Sequence, residues 1–170
     1  MLWLKNFAYT LVVPCTVAIY VPWVLVGEQA ANSGIWLFLA AVLVVLGGAV
    51  YSWCLWDFAT LGQGTPAPFD PPTHLVVQGP YHYTRNPMYV AVMTFIFGWI
   101  VLFPSTPLLL YGLSVGLCIH LLVLLYEEPH LKKVFGTSYE EYRTHVRRWI
   151  PIISIIRKAT NSTKDQLPQS

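Results

Sequence analysis

The chain has 170 residues, about one domain's worth, with a formal net charge of +2. Charged residues make up 11% and hydrophobic residues 55%, against roughly 25% charged in ordinary soluble domains. With a mean hydropathy of +0.53, this composition excludes an ordinary soluble enzyme, a disordered chain and a nucleic-acid-binding module.

A membrane helix needs about 20 mostly apolar residues. In chain order the pattern predicts four spans, at residues 7–26, 35–56, 87–103 and 106–126. The first carries Pro14 and Pro22, and its apolar run exceeds the ~7–15 residues of a signal-peptide core. It is therefore expected to be retained. All ten Lys and Arg fall on one side of this arrangement: Lys5, Arg85 and eight residues after the fourth span. The positive-inside rule then places both termini and the 57–86 loop in the cytosol. The expected location is a bacterial inner membrane or the endoplasmic reticulum, in multi-pass form. The fold class is all-α, polytopic, with an amphipathic cytosolic C-terminal helix. One domain covers residues 1–159, with a helical segment over 127–159 and a polar tail at 160–170.

Residues 57–86 form the only long connection. Its glycines and prolines disfavour a regular helix, and Leu75, Val76, Val77 and Tyr81 predict that it folds back onto the protein. Only Pro104 and Ser105 separate spans three and four, which makes them antiparallel neighbours. At 1.5 Å per residue they cover roughly 26 and 32 Å. Arg85 is thereby brought level with Glu127 and Glu128. Asn86 and Pro87 read as N-cap and first helical residue. A helix N-terminus attracts anions, and Arg85 adds a full positive charge. The alternative is that Arg85 only snorkels to lipid phosphates.

Carboxylates at a membrane boundary are costly unless paired or used. Glu127 and Glu128 either pair with Arg85 or Lys132, or receive a cationic or hydroxyl-bearing ligand. Arg85, the helix terminus and Glu127 together match a ligand with one carboxylate and one ammonium. His120 lies seven residues before Glu127, on the same face of a regular helix. It is either a functional group or a packing histidine. Gly112 and Gly116 share that face and permit close helix approach, with Gly47 and Gly48 as the expected counterpart.

Beyond the glutamates, Pro129 is expected to end or kink span four. Gly136 reads as a C-cap, Ser138 and Glu141 as a capping box, and Tyr139, Tyr142 and Val146 as one apolar stripe. Cys15, Cys54 and Cys118 read as buried apolar filler. Gly62-Gln63-Gly64 reads first as a turn. His74 and His82 share a loop without a third ligand, and no metal set is evident.

These pieces, in this order, resemble the integral-membrane methyltransferases, the isoprenylcysteine carboxyl methyltransferase and phospholipid N-methyltransferase group. The resemblance runs from Gly62 to Pro151. It rests on Gly62-Gln63-Gly64, Leu75-Val76, Gly79-Pro80-Tyr81, Arg85-Asn86-Pro87-Met88-Tyr89, Glu127-Glu128 with Leu131, Phe135-Gly136, Tyr139, Tyr142 and Arg148-Trp149-Ile150-Pro151.

The resemblance implies S-adenosylmethionine as donor, with S-adenosylhomocysteine as product. Donor contacts carry over to Gln63, Thr73, His74, Leu75, Val76, Tyr81, Asn86, Pro87, Met88, Tyr89 and Glu127. Arg85, Glu127 and His120 are the expected catalytic residues, and Val123 and Glu128 the acceptor-side residues. The carboxyl methyltransferases place an arginine one turn before the glutamates. Val123 stands there, and Asn86 replaces a common histidine. The expected acceptor is thus lipophilic without a carboxylate, and enters from the bilayer. The rival readings are a membrane lipid or sterol-type reductase using NAD(P)H, and a non-catalytic tetraspan packing protein.

Overall fold

The computed structural model describes residues 12–58, 60 and 75–150. Five helices follow in chain order: α1 (Val12–Val26), α2 (Ile35–Asp57), α3 (Pro87–Leu102), α4 (Thr106–Phe135) and α5 (Thr137–His145). A single 3-10 turn, Gly79–His82, precedes α3. Among the described residues the protein is all-helical.

Two helices, α2 and α4, are long and apolar enough to cross a membrane. Only 11% and 17% of their most apolar stretches is buried within the protein. Trp36, Phe38, Val45, Trp53 and Trp56 on α2, and Leu110, Leu113, Leu117 and Leu125 on α4, point outward. A helix that is apolar all round and still exposed needs a lipid solvent rather than a protein core. The shorter apolar helices α1 and α3 flank and fill the bundle.

Helix α3 is the central element. Gly47 of α2 lies against it so closely that an added Cβ would sit 2.8 Å from the Ala91 carbonyl oxygen. Gly98 of α3 in turn receives Val44 and Ala40 of α2. On α4, Gly112 packs on Ile96 and Ile100, and Gly116 on Met93. The glycine face of α4 therefore meets α3, not Gly47 and Gly48. Both glycine faces converge on the same helix, because a close approach needs only one glycine-bearing partner. Ala18, Val92 and Ile96 form the core around it. Asn32 donates from its backbone and side chain to Leu102 and Val101, giving carbonyls at the end of α3 partners.

Prolines in α1 and α4 are absorbed by the same device. Pro22 follows a π-helical segment, Thr16–Tyr20, and Pro129 follows another, Val123–Glu127. Proline lacks the N–H for the carbonyl four residues back, and its ring presses on that carbonyl. Widening the preceding turn relieves the clash. The expected stop at Pro129 does not occur, and the helix runs on to Phe135. In the π register the Val17 carbonyl would await the N–H of residue 22, which is proline. The Tyr111 hydroxyl of α4 donates to it instead at 2.7 Å.

Several further expectations differ from the structure. Gly136 (φ +54°) does cap α4, as the pattern predicts. It also opens α5, so Ser138 falls inside that helix and no capping box forms. The helix Thr137–His145 is followed by irregular residues 146–150, and the rest of the expected helical segment, 151–159, lies outside the described residues. Asn86 holds the N-cap position of α3, but its side chain makes no capping bond. Cys54 is buried, whereas Cys15 and Cys118 lie on exposed faces. Both outward cysteines sit on helices whose outer surfaces are apolar, where a thiol behaves as a small hydrophobe.

The glycine packing yields a paired prediction. Gly47→Ala forces a Cβ against backbone and is expected to destabilise by about 1–3 kcal/mol. Gly48→Ala, whose Cβ would meet nothing within 4 Å, should leave the midpoint unchanged. Thermal unfolding in detergent measures both.

Candidate active site

The α3–α4 hairpin brings the two chain segments carrying charge to one end of the bundle. Its connection is Phe103, Pro104 and Ser105, and Arg85 precedes one helix while Glu127 and Glu128 lie in the other. The two glutamates then part company. Arg85 Nη1 lies 3.0 Å from Glu128 Oε1. Arg148 binds the same carboxylate with both edges, Nε to Oε1 at 2.7 Å and Nη2 to Oε2 at 2.8 Å. Side-chain exposures of 10% for Arg85 and Glu128 and 25% for Arg148 show that this cluster is largely removed from water. The carboxylate hydrogen bond pushes the Arg148 guanidinium above its already high pKa. Lys132 pairs instead with Glu140 at 2.6 Å.

Glu127 is half-buried and accepts a hydrogen bond from the Tyr89 hydroxyl in the first turns of α3. Among the described residues Tyr89 is its one side-chain partner, and no cation pairs with it.

The π segment sets which glutamate takes which side. It adds one residue to the turn above the glutamates, and the Glu128 N–H bonds the Val123 carbonyl five residues back. Glu128, rather than Glu127, therefore takes the place below His120. Consecutive residues of the C-terminal segment confirm the shared face: Arg148 binds Glu128, and the Trp149 indole N–H donates to His120 Nδ1 at 3.2 Å. With Nδ1 accepting, the ring proton sits on Nε2. Val123 is fully buried.

Residues 81–86 and 142–148 are zipped together. The Tyr142 hydroxyl donates to the Tyr81 carbonyl at 2.6 Å. The Arg85 N–H donates to the Arg147 carbonyl at 3.0 Å. Thr84 Oγ1 and Asn86 Nδ2 both donate to the Arg148 carbonyl, at 2.9 and 3.2 Å. The Asn86 side chain is thereby turned toward the C-terminal segment, and its oxygen makes no capping bond to α3. The predicted stripe of Tyr139, Tyr142 and Val146 turns inward onto this segment, with Tyr139 and Val146 buried. Burial raises the phenol pKa of Tyr139 and of Tyr142 above the ordinary value, so both remain neutral donors and acceptors.

The segment at 75–86 does fold back. Val76 and Tyr81 are buried with Cys54 of α2, and Met88 and Phe58 pack on them. The Phe58 ring meets Tyr81 edge-on at 5.4 Å between centroids. Desolvation pushes the Tyr81 phenol well above its ordinary pKa. Of the expected donor-binding residues, Val76, Tyr81 and Met88 thus form one apolar cluster. Tyr89 joins Glu127, Asn86 joins the C-terminal segment, and Pro87 is fully buried. Leu75 is half-buried. Gln63, Thr73 and His74 lie outside the described residues.

Two features were not legible beforehand. Arg148 was visible only as part of a motif, and its carboxylate partner is 20 residues away in sequence across a helix boundary. Asp57, at the end of α2, is 6% exposed, and its Oδ2 has no hydrogen-bond partner among the described residues. It sits under Gly79 (φ +57°), where any Cβ would collide with its carboxylate. A lone aspartate at a helix end carries no sequence signal of burial.

A family model described as phospholipid methyltransferase matches residues 35–138. The chain belongs to the phospholipid methyltransferase family, and with it to the membrane methyltransferases. No curated protein matches the chain.

The ion cluster carries a prediction of its own. Glu128→Gln leaves two largely buried guanidiniums against a neutral amide. Breaking a buried pair in this way costs about 3–5 kcal/mol, so this variant should unfold at markedly lower temperature than wild type. Lys132→Gln, at an exposed pair, should shift stability by no more than about 1 kcal/mol.

Proposed function

We propose that the protein transfers a methyl group from S-adenosylmethionine to a lipophilic acceptor at the cytosolic membrane face. In this reading all four apolar helices span the bilayer and both termini are cytosolic. The observation that carries it is the contrast between the two glutamates. Among the described residues Glu128 is held by two arginines, whereas Glu127 has a single neutral donor in Tyr89. A half-buried carboxylate without a cation suits a ligand that brings its own. The amino-acid end of the donor does so through its ammonium, and the residues present fit it.

When bound, the donor supplies an electrophilic sulfonium methyl. Glu127 holds the ammonium, and Tyr89 fixes the carboxylate's orientation. Val76, Tyr81 and Met88 form the apolar wall that keeps water from the transfer. Leu75, Asn86 and Pro87, with Gln63, Thr73 and His74, complete the proposed donor site. Arg85, held by Glu128, positions the loop that carries Tyr81 against the first turn of α3. The task of the protein is chiefly to align donor and acceptor, which is where most of the rate gain in such a transfer arises.

On the acceptor side Val123 is buried and apolar, so an acceptor carboxylate finds no cation there. The proposed acceptor bears a neutral amine or hydroxyl. His120 presents its Nε2–H rather than a free lone pair while Trp149 occupies Nδ1. Proton acceptance by His120 therefore requires Trp149 to move.

Glu127→Gln keeps size and removes charge. Donor affinity measured by calorimetry should fall by about 1.5–3 kcal/mol, the range for hydrogen bonds to charged groups. Unchanged affinity in a folded variant removes Glu127 from the donor site.

Methyl transfer from labelled donor to a panel of amphiphiles tests the acceptor. Lipids with amine or hydroxyl nucleophiles should be methylated, and prenylcysteine carboxylates poorly. Efficient prenylcysteine methylation would show that another residue supplies the cation absent at Val123.

A further inference from the structure

An arginine-lined cavity lies beside the proposed transfer site and is not used by it. Its volume is about 390 Å³. Arg85, Arg143, Arg147 and Arg148 line it, together with Trp149 and Ile150. Neither Glu127 nor Tyr89 reaches it.

The charges around the cavity do not cancel. Glu128 serves both Arg85 and Arg148. Arg143 has only Glu140 Oε2, at 3.8 Å, and Glu140 is already held by Lys132 at 2.6 Å. Arg147 is exposed and makes no side-chain ion pair among the described residues. Arg85 Nε is buried without a hydrogen-bond partner. Four arginines thus line a cavity with one carboxylate, already committed, among them. Guanidinium forks match the oxygens of a phosphate group in geometry and charge.

The other wall fixes the source of the phosphate. Trp149 packs on His120, with ring centroids 6.0 Å apart. His120 lies eight residues before Glu128, within the apolar part of α4. Ile150 is 63% exposed beside it. The cavity lining therefore combines arginines with an indole and an aliphatic side chain. A phosphate bearing acyl chains satisfies both, and a basic pocket at a cytosolic helix boundary is a recurrent headgroup site.

We propose that this cavity binds the phosphate of an anionic phospholipid, at a site separate from donor and acceptor. A bound headgroup would bridge Arg143 and Arg147 to the Arg85–Arg148 pair. It would thereby fasten the C-terminal segment to the bilayer surface.

The test uses full-length protein in an uncharged detergent, without methyl donor. Native mass spectrometry with added phosphatidylglycerol should show one retained lipid in wild type. The Arg143→Gln/Arg147→Gln variant should retain it at least about tenfold more weakly, as expected for losing charge-assisted bonds. Both positions are exposed, and an unchanged unfolding midpoint confirms that the variant is folded. Phosphatidylcholine, whose choline cation meets arginines unfavourably, should be retained more weakly than phosphatidylglycerol. Equal retention by wild type and variant, or of the two lipids, overturns the proposal. Inorganic phosphate forms the other arm: displacement of the lipid at comparable concentration would make this a site for free phosphate and also overturn it.

Discussion

The bidentate grip of Arg148 on Glu128, shared with Arg85, is the interaction on which the charged end of the bundle depends. It joins three segments that are far apart in sequence: the approach to α3, the lower part of α4 and the chain beyond α5. Each ion alone would be costly in so little water. Together they satisfy one another. The bonds from the Thr84 hydroxyl, the Arg85 N–H and the Asn86 amide to the carbonyls of residues 147 and 148 accompany this registration. Tyr139 then closes over Arg85 with its hydroxyl 3.4 Å from Nη1. The apolar cluster of Val76, Tyr81 and Met88 packs on α2, and α5 reaches it through the hydroxyl of Tyr142 on the Tyr81 carbonyl.

A backbone irregularity sets which glutamate enters that grip. Pro129 forbids a regular turn above it, and the π segment at Val123–Glu127 rotates the helix by one residue. The consequence is chemical as well as geometric. One carboxylate is neutralised and structural, and its neighbour points to Tyr89 with charge to spare. In a regular helix the two would still diverge by about 100°, but Glu127 rather than Glu128 would take the place below His120. The recurrence of the device before Pro22, where Tyr111 captures the stranded Val17 carbonyl, shows that the bundle uses displaced backbone groups as interhelical contacts.

The packing around α3 follows a different logic. The outer faces of α2 and α4 are apolar and uncovered, so burial of apolar surface gives little reason for helices to associate in lipid. Close contact at Gly47, Gly98, Gly112 and Gly116 supplies dispersion in its place. The central helix is therefore short, tightly enclosed and fixed in position, which in turn fixes Tyr89 relative to Glu127.

Much of this was written in the sequence. Length of apolar runs, the two-residue link at Pro104 and Ser105, and the clustering of charge sufficed to predict an all-helical chain with Arg85 brought to the glutamates. These features are local or follow from counting along a helix. The short motifs around Arg85 and Glu127 likewise pointed to the methyltransferase family. What the sequence could not decide was register and partnership. The rotation introduced at Val123–Glu127, the choice of Arg148 for Glu128, the engagement of His120 by Trp149 and the inward turn of Tyr139 depend on where distant segments come to rest. Side-chain pairing across 20 or 60 residues has no period to read, and a proline announces a disturbed turn without saying how the turn will yield. Only the packed structure resolves these, because each is settled by the best joint satisfaction of groups that the chain brings together last.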